Sequence, residues 1–197
     1  MKKTLALLSL LTAFNVGQAA QLSYTTPEVD ALLVRVDKMG WAYYTDTVHT
    51  NLASAFVVNA DRDFFTIDGL GSNTETNYLP AGVTELWSGS NIVSDAVGNA
   101  FEVRIQFTCD PDSVSDEWFD LQFDIGPDTN SPIVVASRTI SSPKGSDPFV
   151  ANMAIPLFSL NTFVSNGCKI FFEATDSGDH FHIWDLTVLI KQDYYGN

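Results

Sequence analysis

Positive charge is scarce in this chain. Ten Lys and Arg stand against 24 Asp and Glu, for a formal net charge of −14. A nucleic-acid surface needs basic side chains to meet phosphates, so nucleic acid is excluded as an expected partner. Cysteine is scarce too, with only Cys109 and Cys168 in 197 residues. Two readings stay open for them. Paired in an exported protein, they would stabilise the fold by roughly 3–4 kcal/mol. Unpaired, they are small core residues. Both sit at inward positions of alternating stretches, which favours buried thiols. No apolar run reaches the roughly 18–20 residues that span a bilayer. No Gly-x-Ser-x-Gly elbow, phosphate loop or Cys-x-x-Cys pair occurs, and no acid and base stand at a recognisable catalytic spacing. The expectation is a non-enzymatic protein without a cofactor.

Hydrophobic residues make up 45% of the chain, and Phe alone numbers 14. That composition fits one packed domain. Its charge suits a surface protein that repels its own copies except at a specific interface. Residues 1–20 read as an export signal: Lys2 and Lys3, an apolar run from Leu5 to Phe14, then Gly17-Gln18-Ala19 at cleavage spacing. Residues 25–39 read as a helix. Thr25 and Glu28 form a capping box, and Pro27 lies in the first turn. Val29, Leu32, Val36 and Met39 then form two heptads of a narrow apolar stripe, widened by Leu33. A helix this short needs a partner, either its own domain or copies of itself in a stalk. Gly40 closes it.

Beyond Gly40 the period falls to two. In Phe101–Cys109 the apolar set Phe101, Val103, Ile105, Phe107 and Cys109 alternates with polar residues. Phe119–Ile125 repeats the pattern. Further strands are expected at 41–49, 55–59, 63–68, 132–140, 149–158, 168–174 and 180–190. Turn signals separate them, among them Asp68-Gly69, Asn166-Gly167 and Ser177-Gly178-Asp179. About nine short strands without intervening helices predict an antiparallel sandwich or jelly roll. The final strand reads as apolar on both faces. Trp184, Leu186, Val188 and Ile190 form one set, and Phe181, Ile183 and Leu189 the other. Such a strand in a small sandwich predicts cover from a second subunit.

Candidate chemistry is sparse. Asp110, Asp112, Asp116 and Glu117 gather carboxylates in one loop that could hold Ca²⁺, but without EF-hand spacing they fit a solvated hairpin tip better. His180 and His182 share a strand face and could meet a transition metal, though two polar residues opening a strand is the simpler reading. His49 reads as a lone surface residue. Trp41, Tyr43, Tyr44, Trp87 and Trp118 could stack on sugars, but a core or a subunit interface uses the same residues. No metal site is assigned.

Several pieces of the middle of the chain resemble a known family. They are Gly40-Trp41-Ala42 with Asp46, Gly69-Leu70-Gly71, Tyr78-Leu79-Pro80 with Gly82-Val83 and Leu86-Trp87, and then Gly98 to Phe107. The pattern, over about residues 22–190, resembles tailed-bacteriophage virion structural proteins with a C1q/TNF-like jelly roll: head fibres, capsid decorations and other appendages. The resemblance implies an all-β antiparallel jelly-roll sandwich (C1q/TNF-like) preceded by a short N-terminal helix and an apolar anchor. The domains would be the anchor at 1–21, a helical connector at 22–40 and the jelly roll at 41–197. It also implies a homotrimer in the virion, tied to other virion proteins through its N-terminus, with a host-surface glycan as a further partner. Residues 1–20 would then be a retained anchor. The alternative is a secreted or periplasmic carbohydrate-binding module with that segment cleaved. For the trimer, the expected interface residues are Val29, Leu32, Val36 and Met39 in the stripe and Trp184, Leu186 and Val188 in the last strand.

Overall fold

Period-two alternation becomes strand almost wherever it occurs. The computed structural model describes residues 27–30, 39–58, 63–65, 75–111, 118–128, 130–141, 147–174 and 180–193. The chain falls into two units, Met1–Leu33 and Val34–Asn197. In the first, residues 27–30 are helical, with Val29 half-buried. The anchor segment, Leu32 and Val36 lie outside the described residues. In the second unit Met39 is 47% exposed and directly precedes the first strand.

Ten strands follow: β1 (Gly40–Thr45), β2 (Phe56–Val58), β3 (Asp63–Phe65), β4 (Asn91–Ile92), β5 (Ala100–Pro111), β6 (Trp118–Asp124), β7 (Val134–Ser141), β8 (Phe149–Phe158), β9 (Cys168–Ala174) and β10 (Phe181–Asp193). A short helix, α1 (Asn161–Asn166), lies between β8 and β9 and ends on Gly167 at φ 72°. Each expected strand has its counterpart, and among the described residues only the two-residue β4 is new. The first sheet has the order β1-β10-β5-β8, with β2 also on β10. The second has the order β3-β9-β6-β7, with β4 also on β9. All pairings are antiparallel. The chain changes sheet repeatedly, so strands far apart in sequence become neighbours. The architecture is an all-β antiparallel jelly-roll sandwich.

Phenylalanines fill the space between the sheets. Phe107 and Phe181 come from the first sheet, Phe119 and Phe172 from the second. Phe119 packs edge-on to Phe181 at 4.7 Å between ring centroids and to Phe172 at 5.6 Å. Phe107 meets Phe172 at 5.6 Å and 87°. All four are fully buried. Such pairs contribute about 0.5–1.5 kcal/mol beyond the area they bury.

The last strand corrects the expectation of two apolar faces. Its ladder with β5 shifts register between Trp184 and Thr187, and Asp185 there has φ 54°. The Asp185 amide leaves the ladder and donates to the His49 carbonyl at 2.9 Å. One extra residue inverts the alternation. Phe181 and Ile183 before the bulge, and Leu186, Val188 and Ile190 after it, therefore all point inward and are buried. Only Trp184 and Leu189 of the two apolar sets stay on the outer face, half-buried.

The left-handed backbone at position 185 is open to Asp and Gly and hostile to β-branched residues. In urea unfolding, Asp185→Gly is expected to stay within about 1 kcal/mol of the parent. Asp185→Val is expected to lose about 1–3 kcal/mol. Equal stability of the two variants would contradict the bulge.

Candidate functional site

With the inward positions occupied, both outer faces combine polar pairs with exposed apolar residues. On the second sheet the outward side chains bond one another. Thr139 Oγ1 donates to Asp120 Oδ1 at 2.6 Å, and Gln122 donates to Glu173 across β6 and β9. Lys169 Nζ donates to the Gly126 carbonyl at 3.1 Å. The same sheet leaves Trp118 exposed at the start of β6.

The first sheet has a cross-strand pair as well, with Asn152 Nδ2 donating to Gln106 Oε1 at 3.2 Å. On β8 the outward residues are Val150, Asn152, Ala154, Pro156 and Phe158, all exposed. Val150 is 63% exposed and Phe158 is 64% exposed. Trp184 and Leu189 on β10 share that face and are half-buried. Between them on β5, Arg104 pairs with Glu102 at 2.6 Å. Near the strand ends Lys191 pairs with Asp193 at 3.0 Å. Exposed pairs of this kind contribute little stability. A groove of about 620 Å³ opens where β5, β8 and β10 end, with Ala154, Pro156 and Phe158 among its walls. On the second sheet, edge strand β7 leaves Val134 and Val135 exposed, and Ile133 just before it is exposed too.

Of the expected interface residues, Trp184 therefore faces outward. Leu186 and Val188 do not, being 1% and 0% exposed within one chain. The bulge turns them into the core, which corrects their assignment to a subunit interface. The strand that is apolar on both faces is β8. Its inward set of Ala151, Met153, Ile155 and Leu157 backs the outward one.

The other candidates disperse. Tyr44 and Trp87 are core residues, with the Leu86 amide donating to Tyr44 Oη at 3.1 Å. Burial pushes the Tyr44 hydroxyl above its ordinary range. Trp118 is 41% exposed at the start of β6. Trp41 stacks on Tyr78, which sequence reading had not singled out as a ring partner. His49 is not alone, which corrects that reading. Its Nδ1 meets Asp46 Oδ2 at 2.9 Å, while Asp46 Oδ1 accepts from the amides of Val48 and His49. This buried carboxylate holds the turn after β1. His182 stands opposite Asp110 in the β5–β10 ladder, and residues 112–117 of the acidic loop lie outside the described residues. Among the described residues no three His, Cys, Asp or Glu side chains are placed to hold a metal ion, and no helix is long and apolar enough to cross a membrane.

No protein-family model matches the chain, and no curated protein matches it. Among solved structures it is similar to the Eiger TNF of S. frugiperda, at 14% identity over 81% of this chain and 96% of that one, with a TM-score of 0.48. PRD1 vertex protein P5 matches at 11% identity over 80% and 96%, with a TM-score of 0.39. A chain of Broad Bean Stain Virus matches at 10% identity over 92% and 91%, with a TM-score of 0.27. At these values the likeness assigns neither function nor assembly. The jelly roll rests on the strand order itself.

Cys109 on β5 and Cys168 on β9 are free and buried in different sheets. Burial, with Asp124 nearby, pushes the Cys168 thiol far above its ordinary range. Ellman's reagent is expected to find no reactive thiol in the native chain and two after unfolding; none after unfolding would contradict free cysteines. Above about pH 8.5 an unfolded thiol loses its proton while the folded Cys168 keeps it. Stability is therefore expected to fall as pH rises past that point, and Cys168→Ala to flatten the slope.

Proposed function

We propose that this chain is a non-enzymatic structural protein of a phage virion, a homotrimeric head fibre or capsid decoration. Residues 1–40 tie it to other virion proteins, with the stripe of Val29, Leu32, Val36 and Met39 against the three-fold axis. The jelly roll is displayed at the particle surface, where a host glycan is a further partner. The loop and turn residues around Gly40-Trp41, Tyr78-Leu79-Pro80, Leu86-Trp87 and Gly98 support the family reading.

One observation carries the assembly. A chain with net charge −14 leaves Val150, Ala154, Pro156 and Phe158 of one strand in water, with Val150 and Phe158 more exposed than any described apolar side chain of the second sheet. Contiguous apolar exposure of that kind marks an interaction surface. Burying Phe158 or Val150 contributes roughly 1.5–3 kcal/mol each. Closed cyclic symmetry repeats the gain in every copy. The exported-module reading loses one support, because its Cys109–Cys168 bridge does not form.

Sedimentation velocity of the full chain tests this. The parent is expected to run as a trimer and Phe158→Asp as a monomer with unchanged far-ultraviolet dichroism. A carboxylate forced into the apolar contact costs several kcal/mol, on the order of the group's desolvation. A parent that stays monomeric at high concentration contradicts the proposal.

A further inference from the structure

Beyond β1, on the edge of the first sheet remote from β8, the segment from Glu75 to Pro80 is fastened as an extra rib. Glu75 and Tyr43 exchange both backbone hydrogen bonds at 2.9 Å, and the Trp41 amide donates to the Tyr78 carbonyl at 2.9 Å. The Tyr78 ring lies on Trp41, with centroids 4.7 Å apart and planes 14° from parallel. The approach is tight enough that position 40 must be glycine, since a Cβ there would collide with the Tyr78 carbonyl and the Pro80 nitrogen. Yet the side of Tyr78 away from Trp41 is open, and the residue is 56% exposed. Beside it, Asn77 is exposed, and its backbone N–H donates to Glu75 Oε1 at 2.9 Å.

We propose that this ledge binds an uncharged saccharide of the host surface. A flat ring held in place by backbone bonds and a stacked partner offers contact area without an ordering cost. Its face suits the apolar C–H side of a hexose, and the Tyr78 hydroxyl and the Asn77 side-chain carboxamide suit its hydroxyl groups. No Lys or Arg occurs in residues 75–80, and Glu75 repels anions, so acidic sugars are disfavoured. The inference rests on the surface display proposed above. It needs no trimer, because the ledge lies within one chain.

The full chain is passed over an array of immobilised neutral glucose, galactose and N-acetylglucosamine oligomers with their sialylated counterparts. A retained oligomer is then titrated calorimetrically. A neutral oligomer is expected to bind, Tyr78→Ala to weaken it about tenfold or more, and Tyr78→Phe to stay within about threefold of the parent. Thermal melts confirm the fold of both variants. Retention of no neutral oligomer overturns the proposal, as does preference for the sialylated forms or equal binding by Tyr78→Ala. A change of oligomeric state in Tyr78→Ala also overturns it, by assigning the ledge to a second copy. Failure of the trimer would appear in sedimentation of the parent and would leave the titration unchanged.

Discussion

The contact between the two sheets through Phe107, Phe119, Phe172 and Phe181 decides what every other side chain does. Each ring enters from a different strand, two from each sheet. Once they meet, the inward parity of β5, β6, β9 and the start of β10 is fixed, because a strand slipped by one residue would turn its whole apolar set to water. The outward residues are then a consequence rather than a free choice. Glu102, Arg104, Gln106 and Thr108 face out from β5 because Phe101, Val103, Ile105, Phe107 and Cys109 face in.

Against that constraint, the outer faces carry polar pairs on both sheets, and the largest apolar exposure among the described residues lies on β8. The second sheet places Asp120, Gln122, Thr139 and Glu173 outward, where they satisfy one another across strands. The first sheet places Phe158 and Val150 outward on its edge strand, where no part of the chain covers more than about a third of either residue. An uncovered edge of this kind invites association unless a specific partner takes it. The net negative charge disfavours unspecific contact between copies. The ledge at the opposite edge is smaller and stiffer. Backbone bonds to β1 set its aromatic pair, and one ring face stays wet.

Much of this was legible in the sequence. The alternation in Phe101–Cys109 and Phe119–Ile125 places their inward sets correctly, and the turn at Asn166-Gly167 falls where α1 ends. What failed was local. The bulge at Asp185 leaves no mark in a run that is apolar at both parities, so His180–Ile190 looked two-faced and Leu186 and Val188 were assigned outward. The same doubling in Phe149–Phe158 was real, and its signal was two apolar sets interrupted only at Asn152. His49 looked solitary because its partner Asp46 is three residues away in an irregular turn, where no period applies. Tyr78 looked like a loop residue because its stacking on Trp41 depends on a segment folding back along β1.

The central claim is that copies of this chain cover the outward face of β8. Hydroxyl-radical footprinting of the native protein reads that cover residue by residue. Within one chain Phe158 is 64% exposed and Trp118 is 41% exposed. Assembly is expected to reverse the order, with Phe158 and Val150 protected and Trp118 on the second sheet oxidised freely. Oxidation of Phe158 at the rate its exposure in a single chain dictates would contradict the account.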